Sequence, residues 1–272
     1  MLNIQACYTE VITKQSPLKF FGLVLILSLP FWLLGIVAPS SLLPYSLPIS
    51  ALMFICPMLA ALILTARQGG RKEIKKLLQR AFDLHVIKNK WWLLISALIM
   101  PVVMLIAWYL MQYLGYPLPT PRIALAMIPV MILVYFFGAI GEEVGWMGYL
   151  FDPLQKRMGV LSAALTIGIF WGAWHIIPFY TMGRSAGWIA AQVIASIFMR
   201  IIIARLYNKA NKSVLIAIIF HTFINVSTSL FPNQGSHYNP AIAAFMLALL
   251  VICIEIIAIV NNRRKSLLVL SK

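Results

Sequence analysis

The sequence predicts an all-α, polytopic transmembrane helix bundle of about eight spans with both termini cytoplasmic, and three observations carry that expectation. Of the 272 residues, 62% are apolar and the mean hydropathy is +0.91, well above the roughly 45–50% apolar content of soluble domains. Only seven residues are acidic, a scarcity that a lipid solvent imposes because a charge near the bilayer centre costs about 2.5–3.5 kcal/mol. The apolar residues also gather into runs of the ~20 residues that a spanning helix needs. These runs cover residues 19–38, 46–66, 91–115, 123–149, 160–180, 186–206, 213–231 and 240–260.

The first run is too long for a signal-peptide core, and Ile36 stands where a cleavage site would have a small residue. It is therefore expected to remain in the protein as a span. After the second run, residues 71–84 (RKEIKKLLQRAFDL) put Ile74, Leu77, Leu78, Phe82 and Leu84 largely on one face and basic residues on the other. That pattern predicts an interfacial helix lying on anionic lipid. No repeat, linker or low-complexity tract divides the chain, so residues 1–272 are read as one integral membrane domain. The three cysteines, Cys7, Cys56 and Cys253, are far apart and imply neither a disulfide framework nor a zinc ribbon.

The net charge of +15 does not point to nucleic acid, because the basic residues sit in the short connections between apolar runs. Twenty of the 22 lysines and arginines fall before or at the start of span 1, after spans 2 and 4, at the end of span 6 or after it, or after span 8, and the alternate connections hold only Arg122 and Arg184. The positive-inside rule then places both termini in the cytoplasm. Strong asymmetry with short loops fits a bacterial cytoplasmic (inner) membrane. Arg200 and Glu255, near the cytoplasmic ends of spans 6 and 8, read as snorkelling or ion-paired anchors. His85 and His237 read as solvated surface residues.

Five polar residues inside the spans need another explanation. Glu142 and Glu143 lie in span 4, His175 in span 5, and His221 and Asn225 in span 7. An intramembrane ionisable residue is a functional hypothesis by default. His221 and Asn225 are four apart and share a face, as do Trp171 and His175. Adjacent residues on a helix point about 100° apart, so one glutamate, Glu142, is expected to face the histidines while Glu143 points elsewhere. Gly141-x-x-x-Gly145 and Gly168-x-x-x-Gly172 are small-x-x-x-small faces, expected to bring spans 4 and 5 together and Glu142 beside His175.

A carboxylate buried beside an imidazole titrates away from its value in water, which suits general-base work. A histidine and an asparagine on one face offer two donors to an oxyanion. Together these groups meet the needs of amide hydrolysis. Glu142, His175 and His221 also make up a catalytic ligand set for a divalent metal such as zinc, and spacing leaves open whether a metal takes part. A proton-coupled transporter is the rival class, since Glu and His chains also relay protons. No inverted repeat or matched pair of interrupted helices supports it.

At these residues the chain resembles the CPBP family of intramembrane proteases, which includes type II CAAX prenyl endopeptidases and bacteriocin-immunity relatives. The family pattern is Glu-Glu-x-x-x-Arg, aromatic-x-x-x-His, and His-x-x-x-Asn/Asp on separate spans. This chain has Glu142-Glu143-Val-Gly-Trp-Met147, Trp171-Gly-Ala-Trp-His175 and His221-Thr-Phe-Ile-Asn225. The resemblance covers residues 120–230 as a catalytic core. It implies an intramembrane endopeptidase acting on a membrane-bound, prenylated or otherwise hydrophobic peptide. Glu142 would be the base with His175, and His221 with Asn225 the oxyanion site, while Glu143, Trp171 and Met147 would support them from behind. A prenyl substrate requires a host that makes prenylated proteins; in a bacterial inner membrane another hydrophobic peptide is the expected substrate. Met147 replaces the family's arginine and cannot serve as a counter-charge for Glu143, so a catalytically weak binding or immunity protein is the alternative.

Overall fold

The protein, seen as a computed structural model, is described for residues 16–37, 49–120, 125–232 and 235–270, with side chains through residue 260. Cys7, Glu10, Lys14, Arg122 and Lys272 lie outside the described residues. The helices are α1 (Pro17–Val37), α2 (Cys56–Gln79), α3 (Trp91–Tyr113), α4 (Met127–Glu143), α5 (Phe151–Met158), α6 (Val160–Trp174), α7 (Ile176–Thr181), α8 (Ala186–Lys209), α9 (Val214–Leu230) and α10 (Pro240–Leu270). A 3₁₀ turn, Ile49–Ile55, leads into α2, and a π-helical stretch, Val144–Leu150, joins α4 to α5. No strand occurs among the described residues.

Every expected span has a counterpart. Among the described residues, seven helical stretches are long and apolar enough to cross a membrane. The eighth, α9, has 17 residues and at 1.5 Å per residue is about 26 Å long, a little short of a ~30 Å hydrocarbon core. It is packed by α3, α4 and α8 and buries most of its surface. The outward faces of other helices are apolar: Leu29, Leu98, Leu133, Phe137 and Ile256 are all exposed. With every backbone group of a helix paired internally, such faces suit lipid.

Local chemistry sets the boundaries. Ser185 and Ser213 cap α8 and α9, their hydroxyls accepting from the backbone N–H of Trp188 and Ile216. Gly70, at φ 65°, breaks α2 and separates its spanning part from the basic segment beyond it. That segment is helical as expected, but only to Gln79. Arg80 turns inward instead, donating to the Gly148 carbonyl, Asp152 and Tyr207. Leu77 is buried against Gly148, while Leu78, Phe82 and Leu84 stay exposed.

The glycine pairs approach other partners than expected. A Cβ on Gly141 would meet Phe54 at 2.7 Å, and one on Gly145 would lie 2.4 Å from the Pro57 carbonyl oxygen. Gly168 and Gly172 face Ile197 and Val193 of α8. The two motifs therefore press span 4 onto the start of span 2, and span 5 onto span 6, rather than spans 4 and 5 onto each other. Close to the Gly145 contact, where its ring packs on Trp146, Trp174 donates to Ser28 at 2.8 Å and ties α6 to α1.

Candidate active site

Four helices deliver the polar cluster. Glu142 and Glu143 are the last two residues of α4, immediately before the π-helical stretch. Such wide turns recur at functional sites because they re-aim side chains, and here Gly145 lets the stretch sit directly on the Pro57 backbone. Trp171 comes from α6, Arg200 from α8 and His221 from α9. All five side chains are buried.

Glu142 is held by two indoles. Trp171 Nε1–H donates to Oε2 at 2.6 Å, and Trp146 Nε1–H points to the same oxygen at 3.4 Å. Oε1 is left 4.0 Å from Nε2 of His221. That distance exceeds a direct hydrogen bond but keeps carboxylate and imidazole in one site.

Glu143 does not point elsewhere. Its Oε1 lies 2.9 Å from Nδ1 of His221, and its Oε2 accepts from Nη1 of Arg200 at 2.7 Å. The expectation of divergence assumed that a histidine presents one edge. An imidazole has nitrogens on two edges, so neighbouring carboxylates about 100° apart each reach one of them. A carboxylate paired with an always-charged guanidinium only accepts, so the Nδ1 of His221 carries the proton in that bond.

Arg200 is ion-paired, as one of the two readings expected, but it does not snorkel. It is completely buried, pairs with Glu143, and its guanidinium lies over the Trp171 ring, 4.5 Å from the centroid. Glu255, grouped with it by sequence, instead takes a two-pronged bond from Arg205. Sequence reasoning missed Arg200 as part of the site. The available signal was its apolar neighbourhood, Ile197-Phe198-Met199 before it and Ile201-Ile202-Ile203 after it.

His175 occupies the break between α6 and α7, at φ −87° and ψ −3°. Pro178 three residues later has no N–H to continue the α6 ladder to Trp174. The Nδ1 of His175 is 2.7 Å from the Trp171 carbonyl, so it donates there and Nε2 stays an acceptor. Its ring meets Trp171 edge-on at 5.5 Å, as the i, i+4 spacing predicted, and stacks on Phe179 at 5.7 Å. Asn225 sits one turn beyond His221 on α9 and is half-buried, as is His175. Met147 is fully buried within the π-helical stretch. His85 is exposed and His237 half-buried, both remote in sequence from the cluster.

The ligand set proposed for a divalent metal does not assemble. Among the described residues no three of His, Cys, Asp and Glu come together in a way that holds an ion. Each candidate keeps one donor atom, Nε2 of His175, Nε2 of His221 and Oε1 of Glu142, because Glu143, the Trp171 carbonyl and the two indoles use the others, but the three do not converge into a group that holds an ion.

Comparison with known proteins falls on the same region. The sequence model of the type II CAAX prenyl endopeptidase Rce1-like family matches residues 124–227, which include every residue of the cluster. CAAX prenyl protease 2 of Methanococcus maripaludis is 31% identical over 190 residues, covering 65% of this chain and 69% of that protein.

Proposed function

This chain belongs to the Rce1-like family of type II CAAX prenyl endopeptidases, and from that premise we propose that Glu142 activates the water that cleaves a peptide bond in a prenylated or otherwise membrane-held substrate. The observation that supports this most is the asymmetric tethering of Glu142. Two indole N–H groups fix Oε2, and Oε1 stays within 4.0 Å of His221 Nε2. A water to one side of that gap reaches both atoms with hydrogen bonds of about 2.8 Å.

In this reading Glu142 Oε1 takes a proton from the water as its oxygen attacks the scissile carbonyl carbon. His175, with Nε2 as an acceptor, shares that base role. The carbonyl oxygen becomes an oxyanion and accepts from the Asn225 amide; His221, with its proton on Nδ1 in the bond to Glu143, holds the attacking water through Nε2 instead of donating to the oxyanion. Collapse of the tetrahedral intermediate expels the amine, which takes the proton held by Glu142. Substrate enters beside His175 and Asn225, the least buried members of the cluster. The site opens to the cytoplasm, and the basic segment after Gly70 rests on anionic lipid.

The test is cleavage of farnesylated and unlipidated hydrophobic peptides by the purified protein in detergent or proteoliposomes. Wild type is expected to release a C-terminal fragment, and Glu142→Ala to lose that activity. Cleavage that survives Glu142→Ala removes Glu142 as the base. A wild type inert towards every peptide supports the binding or immunity alternative.

A further inference from the structure

Glu143 and Arg200 form an ion pair with both side chains at zero exposure. A buried pair of this kind is weak as a stabilising device, because desolvation offsets most of the attraction. Its placement is more informative. The Glu143 oxygen not bonded to Arg200 accepts from Nδ1 of His221, and the opposite nitrogen of that ring faces Glu142. Behind the same guanidinium lies the ring of Trp171, whose N–H holds Glu142. One cation on α8 thus touches the immediate holder of His221 and the immediate holder of Glu142. Met147, one turn beyond Glu143, contributes no charge. Two guanidinium nitrogens, Nε and Nη2, have no hydrogen-bond partner among the described residues, so the group is fixed by one charged bond and the indole face.

We propose that Arg200 is a positioning residue: it keeps Glu143 ionised and thereby fixes His221 with its proton on Nδ1 and Nε2 towards Glu142, the task for which the segment after Glu143 lacks a cation in this chain. A buried carboxylate stripped of its cation neutralises by taking up a proton. Protonated Glu143 becomes a donor, Nδ1 of His221 must then accept, and its proton moves to Nε2. The ring turns over or changes tautomer, and the geometry facing Glu142 is lost. The inference deepens the proposed active site, and its test has one readout that needs no catalysis.

That readout is the nitrogen-15 spectrum of the histidine side chains, few enough to assign because there are four, with the His221 signal identified by its loss in His221→Gln. Wild type is expected to show His221 protonated at Nδ1. In Arg200→Met the signal shifts to the Nε2-protonated form, and Met147→Arg on that background returns it. In the peptidase assay, Arg200→Met lowers kcat by at least roughly tenfold with little change in KM. On a Glu143→Gln background the same substitution costs less than about threefold, because it acts through Glu143. Where the single variant does not accumulate, the double variant, which leaves neither charge unpaired, supplies the spectrum and the comparison. A His221 signal that is the same with and without Arg200, or an Arg200→Met penalty equally large in the Glu143→Gln background, overturns the proposal. Wild type without activity but with an Arg200-dependent His221 signal removes the protease reading and leaves this one standing. An active wild type with an Arg200-independent signal does the reverse.

Discussion

The indole Nε1–H of Trp171 donates to Oε2 of Glu142 at 2.6 Å, across 29 residues of sequence. The same ring lies under Arg200 at 4.5 Å and edge-on to His221 at 5.2 Å. Trp171 is thus the element through which α6 orients groups from α4, α8 and α9.

Trp171→Phe keeps an aromatic face for Arg200 but removes the donor. A hydrogen bond to a charged group is worth about 1.5–3 kcal/mol. If it is needed in the transition state, kcat falls roughly 10- to 100-fold while the folded protein persists. The check is kcat and KM on a peptide that wild type cleaves, beside a thermal melt in detergent. A kcat within about twofold of wild type means that Glu142 is positioned without this bond.

Gly145→Ala tests the seat of the π-helical stretch. The added Cβ would sit 2.4 Å from the Pro57 oxygen and 2.5 Å from its carbonyl carbon, both backbone atoms that cannot swing away. Overpacking of this kind costs about 1–3 kcal/mol, and the melting temperature and expression level are expected to fall. Gly138→Ala, with nothing within 4 Å of its Cβ, is the matched control, expected to be neutral or slightly stabilising. Equal melts for the two variants would contradict the close approach.

Much of this arrangement was legible in the sequence, and what was not has identifiable causes. Hydropathy alone found every span, because lipid leaves a continuous apolar run as its signature. The i, i+4 relation of Trp171 and His175 follows from helix geometry, which is local. Which helices meet is not local. Gly141-x-x-x-Gly145 says that some backbone approaches closely, and it is silent on whether that is span 5 or, as found, the entry to span 2. The Arg200–Glu143 pair spans 57 residues, and by composition Arg200 is indistinguishable from Arg205, which pairs with Glu255 instead.

The orientation expected from the lysine and arginine distribution is tested by labelling. Cys253 is exposed near the middle of α10, and Cys7 and Cys56 are the other native thiols, so all three are first replaced by alanine. Single cysteines introduced at Lys88 and at Tyr180, both exposed ends of spans, then report the two sides. In intact cells a membrane-impermeant maleimide should modify the cysteine at 180 and spare the one at 88. The opposite pattern would invert the topology and place the opening of the site on the outer face.

Chelation addresses the donor geometry. A catalytic zinc takes three protein ligands and a water, each with a lone pair aimed at the ion. Here Nδ1 of His221 is taken by Glu143, Nδ1 of His175 by the Trp171 carbonyl, and Oε2 of Glu142 by Trp171 and Trp146. The atoms that remain do not gather into a three-donor group among the described residues. Peptidase activity is therefore expected to survive a strong chelator at millimolar concentration, and to be unchanged after dialysis and addition of zinc. Loss of activity on chelation that zinc restores would require Nε2 of His175, Nε2 of His221 and Oε1 of Glu142 to draw together around an ion, while the two Nδ1–H bonds persist behind them. In that case Trp171→Phe, by releasing Oε2 of Glu142, should raise the protein's zinc affinity rather than merely lower its turnover.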